Sequence, residues 1–220
     1  MTDVEAPGST GTQVSSRGRR SREEILDAVV ATLLEEGYAA TTTMRVQARA
    51  GVSRGKLLHH FPSKKDLITA AVERLAAQRL DVDALPEPPA VPPGEQGASA
   101  ADLRTRLDWA VRQLWQSFFH PNFWAATETW IAARTDPALA AEMVDHEKRV
   151  LKRVRQNIRL LFGPVISADP GYDRAIAVVF TSMRGMAVTY TFSGRDPESE
   201  PMLDTWVATA AALLDCIPDD

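Results

Sequence analysis

The chain has 220 residues, of which 45% are apolar and 25% are charged, with a net charge of -4 at pH 7. This balance is that of a soluble globular protein and excludes disordered and fibrous chains. No apolar run approaches the roughly 20 residues that span a bilayer. Residues 1–16 lack the apolar core of a secretory signal, so we expect a cytoplasmic protein that does not contact a membrane.

The charge is unevenly distributed along the chain. Residues 17–65 hold ten lysines and arginines against five acidic residues, which gives a net charge of +5. Residues 66–220 carry a net charge of -7. A basic N-terminal segment on an acidic body favours an N-terminal surface that binds the phosphates of a nucleic acid.

The first two predicted helices lie near the N-terminus. Ser21 and Glu24 form a capping-box pattern, so the first helix is expected to begin there. It is expected to end at Gly37, because glycine tolerates the left-handed backbone of a helix stop. A short second helix is predicted over about 43–50. Its expected core positions are Met44 and Val46.

Two further helices follow closely in the sequence. Gly51 breaks the second helix, and Ser53 caps a third short helix that continues to Phe61. Ser63 caps a fourth helix, which is expected to extend to about Leu80. Four helices are therefore predicted within the first 80 residues.

A proline-rich segment separates these helices from the rest of the chain. Residues 81–100 contain five prolines and no aromatic residue, which predicts a loop. Helical periodicity then resumes, and we find neither a strand pattern nor an internal repeat. The remaining helices are expected over about 103–118, 122–134, 137–162, 172–192 and 198–217. The predicted fold class is all-α, with about nine helices.

The second and third helices have the shape of a helix-turn-helix, because Gly51 permits the tight turn that sets one helix across the other. The stretch from Ala50 to Leu67 reads AGVSRGKLLHHFPSKKDL. It closely resembles the DNA-binding signature of the TetR family, as does the upstream helix ending in Gly37 and Tyr38. The resemblance implies an N-terminal three-helix helix-turn-helix domain, linked by the fourth helix to a larger C-terminal helical bundle.

The resemblance is strong over 19–80, and two positions depart from it. Leu58 stands where many relatives carry tyrosine, and Gln47 replaces a small residue, so the operator sequence does not follow by analogy. The predicted organisation is a flexible, basic-ended N-terminal arm (1–18), a TetR-type DNA-binding domain (19–80), a proline-rich loop (81–100) and an effector-binding and dimerisation domain (101–220).

The third helix carries groups that suit both phosphates and base edges. Ser53 opens a helix N-terminus, whose free N–H groups favour a phosphate. Gly55 has no side chain, so the helix can approach the groove closely. Arg54 and Lys56 flank this glycine and can reach bases or phosphates in the major groove.

The histidine pair that follows has two interpretations. Either His59 and His60 both meet DNA, or His60 supports the turn while His59 alone meets DNA. A metal site is not expected, because adjacent helical side chains diverge and no third ligand is evident. The resemblance implies that Lys64 binds the DNA backbone. The predicted DNA-binding residues are Thr42, Thr43, Arg45, Ser53, Arg54, Gly55, Lys56, Leu58, His59, His60 and Lys64.

Aromatic residues concentrate after the proline-rich loop. Four of the five tryptophans fall within 109–130, together with three phenylalanines. They either fill an ordinary core or line a cavity, and the resemblance implies a small-molecule effector in this domain. We expect a largely apolar effector, oriented by polar groups that can instead form ion pairs. The predicted effector-binding residues are Trp109, Trp115, Phe119, Phe123, Trp124, Glu128, Trp130, Arg134, His146, Met183 and Arg184.

The resemblance also implies a homodimer through the last two helices, where residues such as Met183, Ala187 and Trp206 fit a close helix contact, although a monomer could bury the same residues. The chain has no G-x-G-x-x-G, P-loop, metal-ligand spacing or nucleophile–base pair, so no enzyme activity and no cofactor are expected. The predicted function is a transcription regulator, a repressor that a small effector releases from palindromic double-stranded operator DNA. The alternative is a dimeric DNA-binding protein that needs no ligand.

Overall fold

The computed structural model describes residues 10–78, 85–91 and 98–217, with the backbone alone at 10–17, 76–78, 142 and 146. Every regular element in these ranges is helical, which confirms the all-α class. Two short 3-10 helices cover Ser117–Phe119 and Pro197–Ser199. The α-helices of the described residues are α1 Thr10–Ala40, α2 Thr43–Ala50, α3 Arg54–His60, α4 Lys64–Gln78, α5 Ala100–Gln116, α6 Pro121–Ala133, α7 Pro137–Ser167, α8 Tyr172–Ser193 and α9 Met202–Ala211.

Helix α1 begins earlier than the capping-box pattern indicated. Ser21 lies inside the helix, and its buried hydroxyl has no hydrogen-bond partner among the described residues, so Ser21 is not a cap. No proline precedes it in 10–20, and Arg20 pairs with Glu24 one turn later (Nε–Oε1, 3.3 Å), so the helix continues upstream. The part of the expected flexible arm from residue 10 onward is therefore helical. Gly37 interrupts the helix with a φ of 79°, as predicted.

Two other details of the helix prediction were wrong. Met44 is 78% exposed, while Val46 is fully buried. Side chains two residues apart on a helix point in directions about 200° apart around the helix axis, so Met44 and Val46 cannot both face one core. Helix α9 ends at Ala211 and does not reach Ile217. The chain beyond it forms turns, tied down where the N–H of Cys216 donates to an oxygen of the Asp169 carboxylate at 2.7 Å.

The proline-rich segment is described only in part. Residues 85–91 form no regular element, and α5 begins at Ala100 with a complete capping box from Ser99 and Asp102. Helix α4 is described as far as Gln78, so its predicted end near Leu80 lies outside the described residues.

The chain forms two compact units. One comprises Met1–Arg74 and Glu128–Met143, and the other comprises Leu75–Thr127 and Val144–Asp220. Helices α4, α6 and α7 each contribute residues to both units. The first unit therefore includes a segment from α6 and α7 that the sequence assigned to the C-terminal domain.

In the first unit, α1 to α4 surround one apolar core. Arg74 of α4 forms ion pairs with Glu23 (3.0 Å) and Asp27 (2.9 Å) of α1, which fixes these two helices side by side. The core positions α3 relative to α1 and α4. Its buried side chains are Ile25, Val29, Leu33, Val46, Leu57, Phe61, Leu67, Ile68, Ala71 and Val72.

In the second unit, a buried arginine caps the C-terminal end of the main part of α7. Gly163 has a φ of 82° and interrupts the helix where the sequence predicted its end, and a further helical turn follows to Ser167. Arg106 of α5 donates to the carbonyl oxygens of Leu161 at 2.9 Å and Leu160 at 3.3 Å. These carbonyls precede the interruption, so the guanidinium satisfies groups that a helix end leaves free. Burial lowers the pKa of Arg106.

Candidate nucleic-acid interface

Helices α2 and α3 meet in a turn where Gly51 ends α2 and Ser53 caps α3, as the sequence predicts. The hydroxyl of Thr42 accepts the N–H of Arg45 at 3.1 Å and caps α2. Gly51 ends α2 in the left-handed conformation, with a φ of 63°. The hydroxyl of Ser53 accepts the N–H of Lys56 at 3.3 Å and caps α3. The remaining free N–H groups of α3 therefore point out of an ordered helix start.

The first turn of α3 is exposed and basic. Arg54, Gly55 and Lys56 are all exposed. In the described part of the chain, the side chains of Arg54 and Lys56 form no hydrogen bond and no ion pair. A Cβ atom placed on Gly55 would meet no atom within 4 Å. This face can therefore lie against a large anionic surface without losing any internal contact.

The arginines of α2 are paired with the end of α1. Arg45 contacts Glu36 (Nη2–Oε2, 2.8 Å), and Arg49 contacts Glu35 (Nη2–Oε1, 2.5 Å). The hydrogen bond from Arg49 holds the pKa of Glu35 below its usual value, and the same bond raises the pKa of Arg49. Arg45, which the sequence predicts to bind phosphate, would exchange Glu36 for the phosphate. Thr43, predicted with it, is half-buried.

The two histidines of α3 have different surroundings. His59 is exposed, while His60 is half-buried beside Arg22 and Phe61. Their rings meet edge to face with centroids 5.2 Å apart. Burial lowers the pKa of His60, and the nearby charges of His59, Lys56 and Arg22 act in the same direction. This favours a neutral His60 that supports the end of α3. Leu58 is half-buried.

Lys64 at the start of α4 lies over an aromatic ring. Its ammonium is 4.7 Å from the centroid of Tyr38. Burial lowers the pKa of Lys64, and the negative charge of Asp136 opposes that shift. Asp136 is held ionised chiefly by the N–H of Leu139, which lowers its pKa. Lys64 is thus half-buried and oriented by Tyr38 in the first unit.

Glu128 of α6 contacts the backbone at the break in α1. The N–H of Tyr38 donates to Oε2 of Glu128 at 2.7 Å. A Cβ atom on Gly37 would lie 2.8 Å from the same oxygen, so glycine leaves room for the carboxylate. The sequence predicts that Glu128 orients an effector, but the structure places it beside the helix-turn-helix. Only a contact between positions 90 residues apart shows this role, and no local pattern could have found it.

Replacing Glu128 with alanine is expected to destabilise the first unit. The Tyr38 N–H would lose a charged acceptor, which costs about 1 kcal/mol and lowers the melting temperature by a few degrees. Asp145→Ala is the control, since Asp145 forms an exposed ion pair with Lys148. Differential scanning fluorimetry of both variants is the measurement. Equal melting temperatures for Glu128→Ala and the wild type would contradict this role.

Two of the aromatic residues predicted to line a cavity, Trp115 and Phe123, belong to a packed core in the second unit. Trp115 and Phe123 are fully buried. The Trp115 ring lies 4.8 Å from Phe119, 5.5 Å from Tyr190 and 5.0 Å from Trp206, measured between centroids. The indole N–H of Trp115 donates to the carbonyl of Pro197 at 2.8 Å. Of the two alternatives, an ordinary core or a cavity lining, Trp115 and Phe123 therefore belong to an ordinary core.

The other predicted effector residues are dispersed. Trp109, Phe119, Trp124 and Trp130 are half-buried, Met183 is fully buried and Arg134 is exposed. The side chain of His146 lies outside what the structure describes. Arg184 lies at a cavity between α7 and α8, together with residues that the sequence analysis did not select.

Comparisons with known proteins agree with this arrangement. The sequence profile described as "Bacterial regulatory proteins, tetR family" matches residues 25–71, from α1 into α4. The HTH-type transcriptional regulator CymR of Pseudomonas putida is 28% identical over 181 residues, which cover 79% of this chain and 81% of CymR. The HTH-type transcriptional repressor AcnR of Corynebacterium diphtheriae is 28% identical over 162 residues, covering 70% and 72%. The helix-turn-helix region of this chain, residues 25–71, is that of the TetR family of transcription regulators.

Solved structures show the same fold for this chain. A transcriptional regulator from a Rhodococcus species has a TM-score of 0.61 at 23% identity, covering 90% of this chain and all of that one. The multidrug binding protein EbrR, solved with imidazole, has a TM-score of 0.54 at 19% identity, covering 91% and 92%. Helices α2 and α3 lie within the residues that the family profile matches, and they form the helix-turn-helix with which this family binds DNA.

Helix α8 of this TetR-family regulator is unusually apolar for its exposure. Its 22 residues are long and apolar enough to cross a membrane by length and composition alone, so the expectation that no run approaches that length was wrong. Only 22% of its most apolar stretch is buried. An exposed apolar helix face in a family of DNA-binding regulators suits contact with another protein surface.

Proposed function

We propose that this regulator is a cytoplasmic repressor that binds a palindromic operator as a homodimer and is released by a small, largely apolar effector. The exposed first turn of α3 carries the proposal. Arg54 and Lys56 flank Gly55 there, and they make no ion pair with any described residue that would have to be broken. Such a helix presents both charge for phosphates and unobstructed backbone to the major groove.

The homodimer is supported by the outer faces of α8 and α9. Val178 and Val188 are about half exposed, and Phe192 is 80% exposed, all on α8. Gly185 leaves open space on the same helix. Ala208 of α9 is also exposed. Apolar and small side chains of this kind let helices from two chains pack closely and remove apolar surface from water.

Some residues that the sequence suggested for the dimer interface are instead buried within a single chain. Met183 and Ala187 of α8 and Trp206 of α9 are buried within the second unit. The indole N–H of Trp206 donates to the hydroxyl of Ser182 at 2.9 Å. The proposed dimer surface therefore consists of the alternate, outward positions of α8 and α9.

Release by an effector is supported by the relatives. AcnR is named a repressor, and EbrR was solved with imidazole and with ethidium. Release requires the effector to bind the conformation that does not fit DNA more tightly than the one that does. A coupling of about 1–3 kcal/mol would weaken operator binding several-fold to about a hundredfold.

Selection of binding sites from random double-stranded DNA tests the dimeric interface. A two-fold symmetric protein places two copies of α3 about one helical turn of DNA apart, so the selected sites are expected to be inverted repeats. Analytical ultracentrifugation of the complex should show two chains per site. Selected sites without inverted symmetry would contradict the proposed mode of binding.

The selected operator DNA also serves to test whether an effector releases the protein. Operator affinity is measured by fluorescence anisotropy with and without small molecules that raise the melting temperature of the protein. A ligand that weakens operator binding supports release. Ligands that bind but never change operator affinity would favour the alternative of a ligand-independent DNA-binding protein.

A further inference from the structure

A cavity of about 510 Å³ lies between α7 and α8 in the second unit. This volume is in the range of sites that hold small organic molecules. One part of the wall is apolar, with Ile158, Ile176 and Phe180. Another part carries guanidinium groups, so the cavity is both apolar and cationic.

Two of the three arginines at this cavity have no anionic partner among the described residues. Arg159 pairs with Asp173 (Nη2–Oδ1, 2.7 Å), which neutralises its charge. Arg155 and Arg184 form no ion pair with any described residue, and Arg184 lies 5.8 Å from the centroid of the Phe180 ring. The wall therefore holds two uncompensated positive charges beside apolar side chains. Unpaired guanidinium groups in such a place favour an anion that supplies the missing partner.

Tyr172 gives a second, independent indication of a ligand. It lines the same cavity and is only 3% exposed. Its hydroxyl is buried and has no hydrogen-bond partner in the part of the chain that the structure describes. A buried hydroxyl without a partner is costly, and the described residues offer this one no acceptor. Burial raises the pKa of Tyr172, so the phenol stays protonated and can donate.

We infer that this cavity binds an amphipathic carboxylate, with its head at Arg155 and Arg184, its oxygen accepting from the Tyr172 hydroxyl, and its apolar body against Ile158, Ile176 and Phe180. This inference rests on the proposed function only where it identifies the carboxylate as the class of effector that releases the operator. A carboxylate accepts charge-assisted hydrogen bonds from guanidinium groups, and burial of the apolar body adds to the affinity.

Decanoate is the probe, and decan-1-ol, with the same chain and a neutral head, is its matched comparison. Isothermal titration calorimetry of the full chain should give a Kd for decanoate at least tenfold below that for decan-1-ol. Arg155→Gln and Arg184→Gln should each weaken decanoate binding about tenfold and leave decan-1-ol unchanged. Decanoate binding no more tightly than decan-1-ol would overturn the inference.

Arg153→Gln is the control for charge. Arg153 is exposed on the same helix and does not line the cavity, and its loss changes the net charge by the same amount. Its Kd for decanoate should stay within twofold of the wild type. Equal weakening by Arg153→Gln and Arg155→Gln would mean that general attraction to a basic helix, and not a site, binds the anion.

Tyr172→Phe separates a ligand contact from a structural role. It removes a hydroxyl without a partner, so the melting temperature of the free protein should stay the same or rise, while decanoate binding weakens about threefold to tenfold. An unchanged Kd for decanoate would remove Tyr172 from the site.

Operator affinity distinguishes this inference from the proposed function. If decanoate binds through Arg155 and Arg184 but operator affinity does not change, the carboxylate site stands and release by this ligand class fails. If decanoate does not bind while another compound releases the operator, release stands and the carboxylate site is wrong.

Discussion

Gly171→Ala is expected to destabilise the second unit by more than about 3 kcal/mol, in the range of severe overpacking. A Cβ atom on Gly171 would lie 1.7 Å from the carbonyl oxygen of Leu213 and 2.9 Å from its carbon. Both are backbone atoms, so no side-chain movement can make room. The φ of Gly171 is -80°, so the effect is close contact and not backbone strain.

The position cannot relax easily, because both segments are tied to one carboxylate. Asp169 accepts the N–H of Gly171 at 2.7 Å and the N–H of Cys216 at 2.7 Å. Burial disfavours the charge of Asp169, yet these backbone donors hold its pKa below the usual value. Any shift of the turn after α9 therefore breaks hydrogen bonds to a carboxylate. Burial and the nearby Asp169 raise the pKa of Cys216 to about 11, so its thiol stays protonated.

The melting temperature of the full chain and the soluble yield measure this effect. Gly171→Ala should lower the melting temperature by about 10 °C or reduce the soluble yield. Gly18→Ala is the control, since nothing lies within 4 Å of that position in α1 and alanine favours helix by about 1 kcal/mol. A melting temperature within about 2 °C of wild type for Gly171→Ala would contradict the close approach.

Gly55→Leu is expected to abolish operator recognition while leaving the protein folded. The position is exposed in α3, and no atom lies within 4 Å of an added Cβ, so leucine meets nothing in the protein. Leucine also forms helix more readily than glycine. Against DNA, the same side chain would separate the helix from the groove and displace several contacts, each worth about 1–3 kcal/mol. A loss of operator affinity of about a hundredfold is expected, with an unchanged or higher melting temperature.

Ala141→Leu controls for the addition of an exposed leucine. Ala141 lies on α7 and is exposed, so its replacement should change neither operator affinity nor melting temperature. Both variants are measured on the selected operator by fluorescence anisotropy. Wild-type affinity for Gly55→Leu would mean that the first turn of α3 does not approach the groove.

The helix-turn-helix could be predicted from the sequence because its signals are local. The ranges of α2 and the cap of α3 by Ser53 follow from residues within a few positions of each other. Local patterns were less reliable where several outcomes share one pattern. Ser21 and Glu24 fit both a helix start and a helix interior, and only the neighbouring chain decides between them.

The aromatic cluster shows where sequence reasoning ended. Tryptophans and phenylalanines at 109–130 require burial, but the sequence could not distinguish burial in a core from burial around a cavity. Trp115 packs against Phe119 and Trp206, which lie on different elements of the fold. Such packing depends on distances between segments far apart in the chain, which periodicity does not contain.

The sequence by itself determined the all-α fold, the helix-turn-helix and the family, since periodicity, capping residues and the AGVSRGKLLHHFP signature are local properties. The tertiary structure alone decided which side chains share a site. It placed Glu128 at the backbone of Tyr38, filled the aromatic core, and brought Arg155 of α7 and Arg184 of α8 to one cavity. The physical reason is that contacts across the chain arise from packing of helix faces, and a residue's neighbours in sequence do not specify which face meets which.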